Sequence, residues 1–153
     1  MKTLIVCDSV HMGNTGKIAE VFAAVLDATI VPSPKVDAGR LGEYDLVGFG
    51  SGIYGGRHGK ELLSLVDRLP FGGGHKVFIF STSMKGITQM QKNHKALFDR
   101  LQSKGFQVVG NFSCQGAATF GPLKWFGGIN KDRPNAEELE LARMFAEGLG
   151  SGK

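Results

Sequence analysis

From end to end, this chain alternates short β-branched runs with apolar stripes spaced three and four residues apart. Thr3 to Asp8 (TLIVCD) is an apolar run that ends in a polar loop, the mark of a strand buried on both faces. Asn14 to Leu26 then places Ile18, Val21, Phe22, Val25 and Leu26 on one helical side, with Asn14 or Thr15 as the expected cap. Further strands are predicted at 28–31, 45–51, 76–81 and 106–114, and further helices at 58–69, at 91–104 and from Pro134 to about Leu149. Pro70 stops one helix and Gly105 closes another. Such alternation dictates a parallel sheet with right-handed crossovers and helices on both faces, a three-layer α/β fold. The stretch from Ser33 to Tyr44 is too short and broken for a full helix, so a brief turn is expected there. No linker or repeat divides the chain. One domain over 1–149 with a flexible tail at 150–153 is the expectation.

Glycine is the compositional outlier, at 23 of 153 residues, roughly twice ordinary usage. The glycines cluster without a three-residue period, which excludes collagen and points to loops where the backbone must approach something closely. A formal net charge of +4 is mildly basic, without the Lys/Arg stripe of a nucleic-acid protein. Lys85, Lys92, Lys95, Arg100 and Lys104 read as a solvated helix face with Asp99 among them. Cys7 and Cys114 sit inside apolar runs, lack zinc spacing and read as reduced core thiols. No apolar run reaches the roughly 18 residues that span a bilayer, and no apolar signal segment precedes the first strand. A soluble cytoplasmic protein is expected.

Ligands of open parallel sheets bind beyond the carboxyl ends of the strands, where the strand order reverses. The loop after the first strand, Ser9-Val10-His11-Met12-Gly13-Asn14-Thr15, leads straight into a helix. Hydroxyls, an amide and a glycine at a helix N-terminus suit an anion, because free N–H groups and the helix dipole favour negative charge. With no Lys or Arg in the loop, the pattern fits a phosphate held by neutral donors rather than a nucleoside triphosphate. Gly16-Lys17 is no Walker A end, since Ile18 follows. Gly50-Ser51-Gly52-Ile53-Tyr54-Gly55 matches G-x-G-x-x-G but follows the third strand and lacks the later acidic residue. His11, His58, His75 and His94 lack the spacing of a metal site, and no catalytic nucleophile motif is present.

Read together, three loops resemble those of the flavodoxin family. Ser9 to Thr15, ending in Gly-Asn-Thr, is similar to its phosphate loop, Ser51-Gly52-Ile53-Tyr54-Gly55-Gly56 to its second flavin loop, and Ser81-Thr82-Ser83-Met84 to its third. The resemblance spans essentially the whole chain. It implies a five-stranded parallel sheet in the order 2-1-3-4-5 and FMN as cofactor. It further implies that Ser9, Val10, His11, Met12, Gly13, Asn14 and Thr15 wrap the phosphate. Ser51, Gly52, Ile53, Tyr54 and Gly55 would pass along the isoalloxazine, with Tyr54 able to stack. Ser81, Thr82, Ser83 and Met84 would line the pyrimidine end. Gly52, Gly55 or Gly56 could permit a peptide flip, since glycine accepts positive φ.

Three functional readings follow. In the first, the protein is a low-potential electron carrier whose flavin does the redox step and whose partner docks over the exposed ring edge. In the second it is an FMN-dependent reductase of quinones or similar small acceptors, with the Gly-rich loop 115–133, including Phe120, Trp125 and Phe126, as a pocket wall. In the third the loops hold another phosphate, or nothing. Flavodoxins are usually acidic, whereas Arg57, Lys85, Lys124, Lys131 and Arg133 give this chain a basic expected rim. A redox partner with an acidic docking face is therefore expected, with no nucleic acid involved.

Overall fold

The computed structural model describes residues 1–9, 13–83, 86–115 and 135–151. In chain order the elements are β1 (Thr3–Asp8), α1 (Asn14–Leu26), β2 (Thr29–Val31), 3-10 turns at Ser33–Lys35 and Ala38–Glu43, β3 (Leu46–Tyr54) and β4 (Arg57–His58). There follow α2 (Lys60–Arg68), β5 (Lys76–Ser83), a 3-10 turn at Gly86–Gln89, α3 (Met90–Ser103), β6 (Gln107–Gln115) and α4 (Ala136–Ser151). Five strands pair in parallel in the order β2-β1-β3-β5-β6. Without β4 this is the expected order 2-1-3-4-5, and helices cover both faces of the sheet.

Two features depart from the sequence expectation. β3 continues three residues past Ser51 and turns back through Gly55 and Gly56 into β4, which pairs antiparallel with it. Both turn residues have positive φ, 60° and 81°, as a two-residue turn between twisted strands requires. The segment read as a plain loop is thus a β-hairpin, and its second strand takes His58, expected as the first residue of a helix that begins instead at Lys60. The second departure is α4, which runs to Ser151 and so takes in the start of the expected tail. Asn135 and Glu138 open α4 as a reciprocal capping box, with bonds of 2.9 and 3.1 Å. The Gly-rich loop lies outside the described residues from 116 onward.

Each face of the sheet buries its own core. Under α2 and α3 the strands contribute Leu4, Val6, Val47, Phe49, Val77 and Ile79, against Leu62, Leu65, Val66, Leu97 and Leu101. Beneath α1 and α4 the core is aromatic. Phe22 of α1 meets Phe78, Phe80 and Phe112 edge to face, with ring centroids 5.1 to 5.6 Å apart and planes at 82° to 89°. Such geometry matches the positive ring edge to the negative face. Cys7 and Cys114 are buried in the same cluster, and burial pushes the Cys7 thiol up to about 12, as an inert core thiol requires.

Central strand β3 makes room for these rings by carrying glycine at 48 and 50. A Cβ at Gly48 would lie 2.3 Å from Phe78 Cζ, and one at Gly50 would lie 2.3 Å from Phe80 Cε2. The glycines of the DLVGFGS run therefore serve packing. Gly48→Ala should lower stability by about 1–3 kcal/mol through overpacking, read as a fall in the urea midpoint. Phe78→Leu in the same chain should recover part of the loss, and an unchanged midpoint for the single variant would contradict this role.

Candidate functional site

The chain leaves β1 for β2 on one side and returns to β3 on the other, so the topological switch lies at the carboxyl ends of β1 and β3. Three of the expected loops converge there. α1 begins directly behind β1, and its N-cap is Gly13, in the left-handed conformation at φ 65°, with no side-chain cap bond. Asn14 and Thr15 are the first helical residues, not the cap expected from the sequence. A glycine with positive φ lets the chain turn sharply from loop to helix and leaves the cap position without a side chain. No acidic residue occupies the first turn of α1. By contrast, α2 carries Glu61 there, and α4 carries Glu137 and Glu138. The positive end of the α1 dipole is thus not offset by a carboxylate of its own first turn.

Ser9 is exposed, and its Oγ accepts the N–H of Gly16 at 3.1 Å. Thr15 is buried, and its hydroxyl shares a 2.7 Å hydrogen bond with that of Thr82 on β5. This bond ties the first loop to the third. The Thr15 hydroxyl can serve an anion only when Thr82 supplies the proton between them. Val10, His11 and Met12 of the first loop and Met84 of the third lie outside the described residues.

Ser51 accepts the N–H of Gly59 at 3.0 Å and donates to the carbonyl of Gly52 at 2.6 Å. It thereby braces the hairpin against the start of α2. Gly52 and Ile53 are half-buried on β3, Gly55 is exposed in the turn, and Tyr54 is 43% exposed beside it. A half-exposed aromatic at the hairpin tip is available to stack on a ring. Burial, helped by the Asp8 charge, raises the Tyr54 pKa, which keeps the phenol neutral. Asp8, Ser51, Tyr54, Arg57 and His58 line one wall of an adjoining cavity of about 680 Å³ that reaches along α2.

Below the loops runs a polar row that the sequence reading did not identify. Asp8, Ser51, Ser81 and Ser113 are register partners across β1, β3, β5 and β6. Beyond β1, Asp8 accepts the N–H and hydroxyl of Ser33 at 2.8 and 2.5 Å. Ser81 bonds both Ser113 Oγ, at 3.0 Å, and His94 Nε2, at 2.7 Å. His94 Nδ1–H donates to Asn111 Oδ1 at 2.9 Å, so Nε2 accepts the Ser81 proton. His58 Nε2–H donates to the carbonyl of Phe80 at 2.9 Å, and its Nδ1 is buried without a partner among the described residues. The two imidazole rings lie 5.0 Å apart. One signal was present in the sequence: His94 falls three and seven residues before Leu97 and Leu101, on the buried side of α3.

Burial, reinforced by the neighbouring His94, pushes His58 down to about 3 from an ordinary 6.5. Burial also lowers His94, against the opposing effect of its bond to Asn111. Both rings are neutral in the folded protein at neutral pH. The unfolded chain then binds more protons than the native one below the ordinary histidine range. The His58 contribution is fully present above about pH 6.5 and is lost as pH falls toward 3. The urea midpoint should fall through that window, and His58→Gln should flatten the fall. Equal slopes in the two proteins would contradict the assignment.

Comparisons with known proteins establish the family and the fold. The sequence matches the flavodoxin domain family over residues 4–126. The chain belongs to the flavodoxin family. An uncharacterized protein of Methanocaldococcus jannaschii is 43% identical over 150 residues, covering 97% of this chain and 98% of its own length. A flavodoxin from the domain Archaea superimposes with a TM-score of 0.72 at 14% identity, covering 98% of this chain and 96% of that one. A Fusobacterium nucleatum flavodoxin bound to flavin mononucleotide superimposes with a TM-score of 0.68 at 12% identity, with 97% of each chain covered. At these identities, the solved structures bear on the fold alone.

The donor chemistry at α1 suits the phosphate of a flavin mononucleotide. It offers a helix N-terminus with a side-chain-free cap, no first-turn acid and hydroxyls nearby. Asn14→Asp is nearly isosteric and adds a negative charge at that point. FMN affinity should fall by at least about tenfold, whereas riboflavin, which lacks the phosphate, should bind as before. Comparable losses for both ligands in a fluorescence titration would remove the phosphate from this loop.

Proposed function

We propose that this flavodoxin binds FMN across the three loops and serves as an electron carrier. The observation that carries the reading is the meeting of the acid-free N-terminus of α1 with the β5 loop, through the Thr15–Thr82 bond, beside the hairpin that presents Tyr54. When bound, FMN supplies the redox chemistry, and the protein supplies retention, orientation and electrostatic tuning. Ser9, Gly13, Asn14 and Thr15, with Val10, His11 and Met12, hold the phosphate. Residues 51–55 run along the ring with Tyr54 against it. Ser81, Thr82, Ser83 and Met84 face the pyrimidine end. Ser51 and Ser81 act through the backbone they brace, because their hydroxyls are turned to Gly59, Gly52, His94 and Ser113.

The partner in this reading is a redox protein with an acidic docking face. Its support is the net charge of +4 and the exposed Arg57 at the hairpin. No helix among the described residues is long and apolar enough to cross a membrane. A second reading, reduction of small acceptors such as quinones, is favoured by one observation: the cavity of about 680 Å³ that adjoins Tyr54.

Purified protein mixed with FMN should show flavin absorption bands and pass electrons to an acceptor protein. The transfer rate should fall as salt rises, since exposed charges are screened over about 8 Å at physiological ionic strength. Arg57→Glu should slow transfer while FMN stays bound. Rapid steady-state turnover of reduced nicotinamide with a quinone would instead establish the reductase, and failure to bind FMN would remove both readings.

A further inference from the structure

The hydrogen bonds around His94 have a property that those around His58 lack. With His94 neutral, Ser113 donates to Ser81, Ser81 donates to Nε2, and Nδ1–H donates to Asn111. With a proton on Nε2 the first two bonds reverse, so that Nε2–H donates to Ser81 Oγ and the Ser81 hydroxyl donates to Ser113 Oγ. The same three contacts, at 2.7, 3.0 and 2.9 Å, serve both states without movement of a heavy atom. A hydroxyl is donor and acceptor at once, which is what the reversal needs. His58 has no such freedom. Its Nε2–H is committed to Phe80, and a proton on Nδ1 would be buried with no acceptor, at a cost that keeps that ring neutral.

Position adds to this. Ser81 lies near the carboxyl end of β5 and is the first residue of the segment assigned to the pyrimidine edge of the flavin. His94 and Asn111 also line a second cavity, of about 730 Å³, between α3 and β6, which gives the ring a route to solvent protons. Few charges compete for the site. On α3, Lys95 and Asp99 line the same cavity as His94 and pair with each other at 2.8 Å, so their charges largely offset one another. From β4 come exposed Arg57 and neutral His58, while β5 and β6 present Ser81, Ser113 and Asn111. Farther along α3, Arg100 is engaged with Asp67 of α2 at 3.1 Å.

We propose that His94 is a buried proton acceptor linked to reduction of the bound flavin. The inference rests on the FMN reading above. One electron from the redox partner adds a negative charge at the flavin, and one solvent proton bonds to His94 Nε2. No bond to the flavin forms or breaks in this uptake, and charge is balanced within the protein. A new anion nearby favours the imidazolium, and the serine pair supplies its acceptor. Without that anion, burial favours the neutral ring.

The test follows the histidine rings by NMR in ¹⁵N-histidine protein over a pH series. Three states are compared: without FMN, with oxidised FMN, and with FMN reduced by dithionite. Reduction should raise the proton affinity of His94 at least about tenfold, one pH unit, while His58 stays neutral in every state. His94→Gln keeps an acceptor for Ser81 but cannot take the proton. It should remove the His94 share of the pH dependence of the flavin potential, whereas a purely structural role would shift the potential equally at every pH. Ser113→Ala leaves the histidine in place, removes the acceptor that completes the reversal, and should shrink the rise in His94 affinity. If His94 titrates alike in oxidised and reduced protein that holds FMN, the proposal falls and the carrier reading stands. If wild-type protein binds no FMN, both fall together.

Discussion

The seating of Phe22 of α1 in a nest of three phenylalanine rings governs the rest of the structure. That nest exists because β3 carries hydrogen where any other residue would place a Cβ, and Phe78 and Phe80 fill the space above Gly48 and Gly50. Edge-to-face contacts with Phe78, Phe80 and Phe112 fix both the depth and the rotation of α1 on the sheet. The consequence is felt at the other end of the helix. With α1 fixed, its N-terminus can lie only behind β1, where Thr15 reaches Thr82. A well-packed interior transmits position over such distances because it has little room to deform.

Beneath the loops, the sheet changes character within one register row. The layers under α2 and α3 are apolar up to Val6, Phe49 and Ile79, and the next row on that face is Asp8, Ser51, Ser81 and Ser113. Polar groups at that depth are stable only because each is bonded, Asp8 to Ser33, Ser51 to Gly59, and Ser81 to His94. The row clamps the strand ends from the α2/α3 side, and the Thr15–Thr82 bond clamps β5 from the α1 side. Strand ends held from both faces are preorganised, which lowers the ordering cost of binding a ligand there.

The sequence revealed most where a single period dominated. β1 and α1 match their expected bounds to the residue, because an unbroken TLIVCD run and a clear apolar stripe admit one reading each. The hairpin was missed because Ser51-Gly52-Ile53-Tyr54-Gly55-Gly56 carries no strand alternation, and its pairing partner is only two residues long. The Gly-Gly turn was visible, but its strand context was not. His94, Asn111 and Ser113 escaped for a different reason. They are 17 and 2 positions apart in sequence, and only the pairing of β6 with β5, beneath α3, brings them to one point.

By itself, the sequence determined the fold class, since a parallel α/β sheet follows from local period and the rules of parallel sheets, and its likeness to the flavodoxin family implied the strand order. It also offered, in the first loop, hydroxyls, an amide and a glycine of the kind that suit an anion at a helix N-terminus. Tertiary structure decided what each polar side chain does. It turned the Ser51 and Ser81 hydroxyls inward, joined Thr15 to Thr82, and left one buried histidine able to accept a proton and the other not. Hydrogen-bond partners are set by distances of a few ångströms between strands that lie far apart in the chain, and no pattern along one strand encodes what its neighbour will offer.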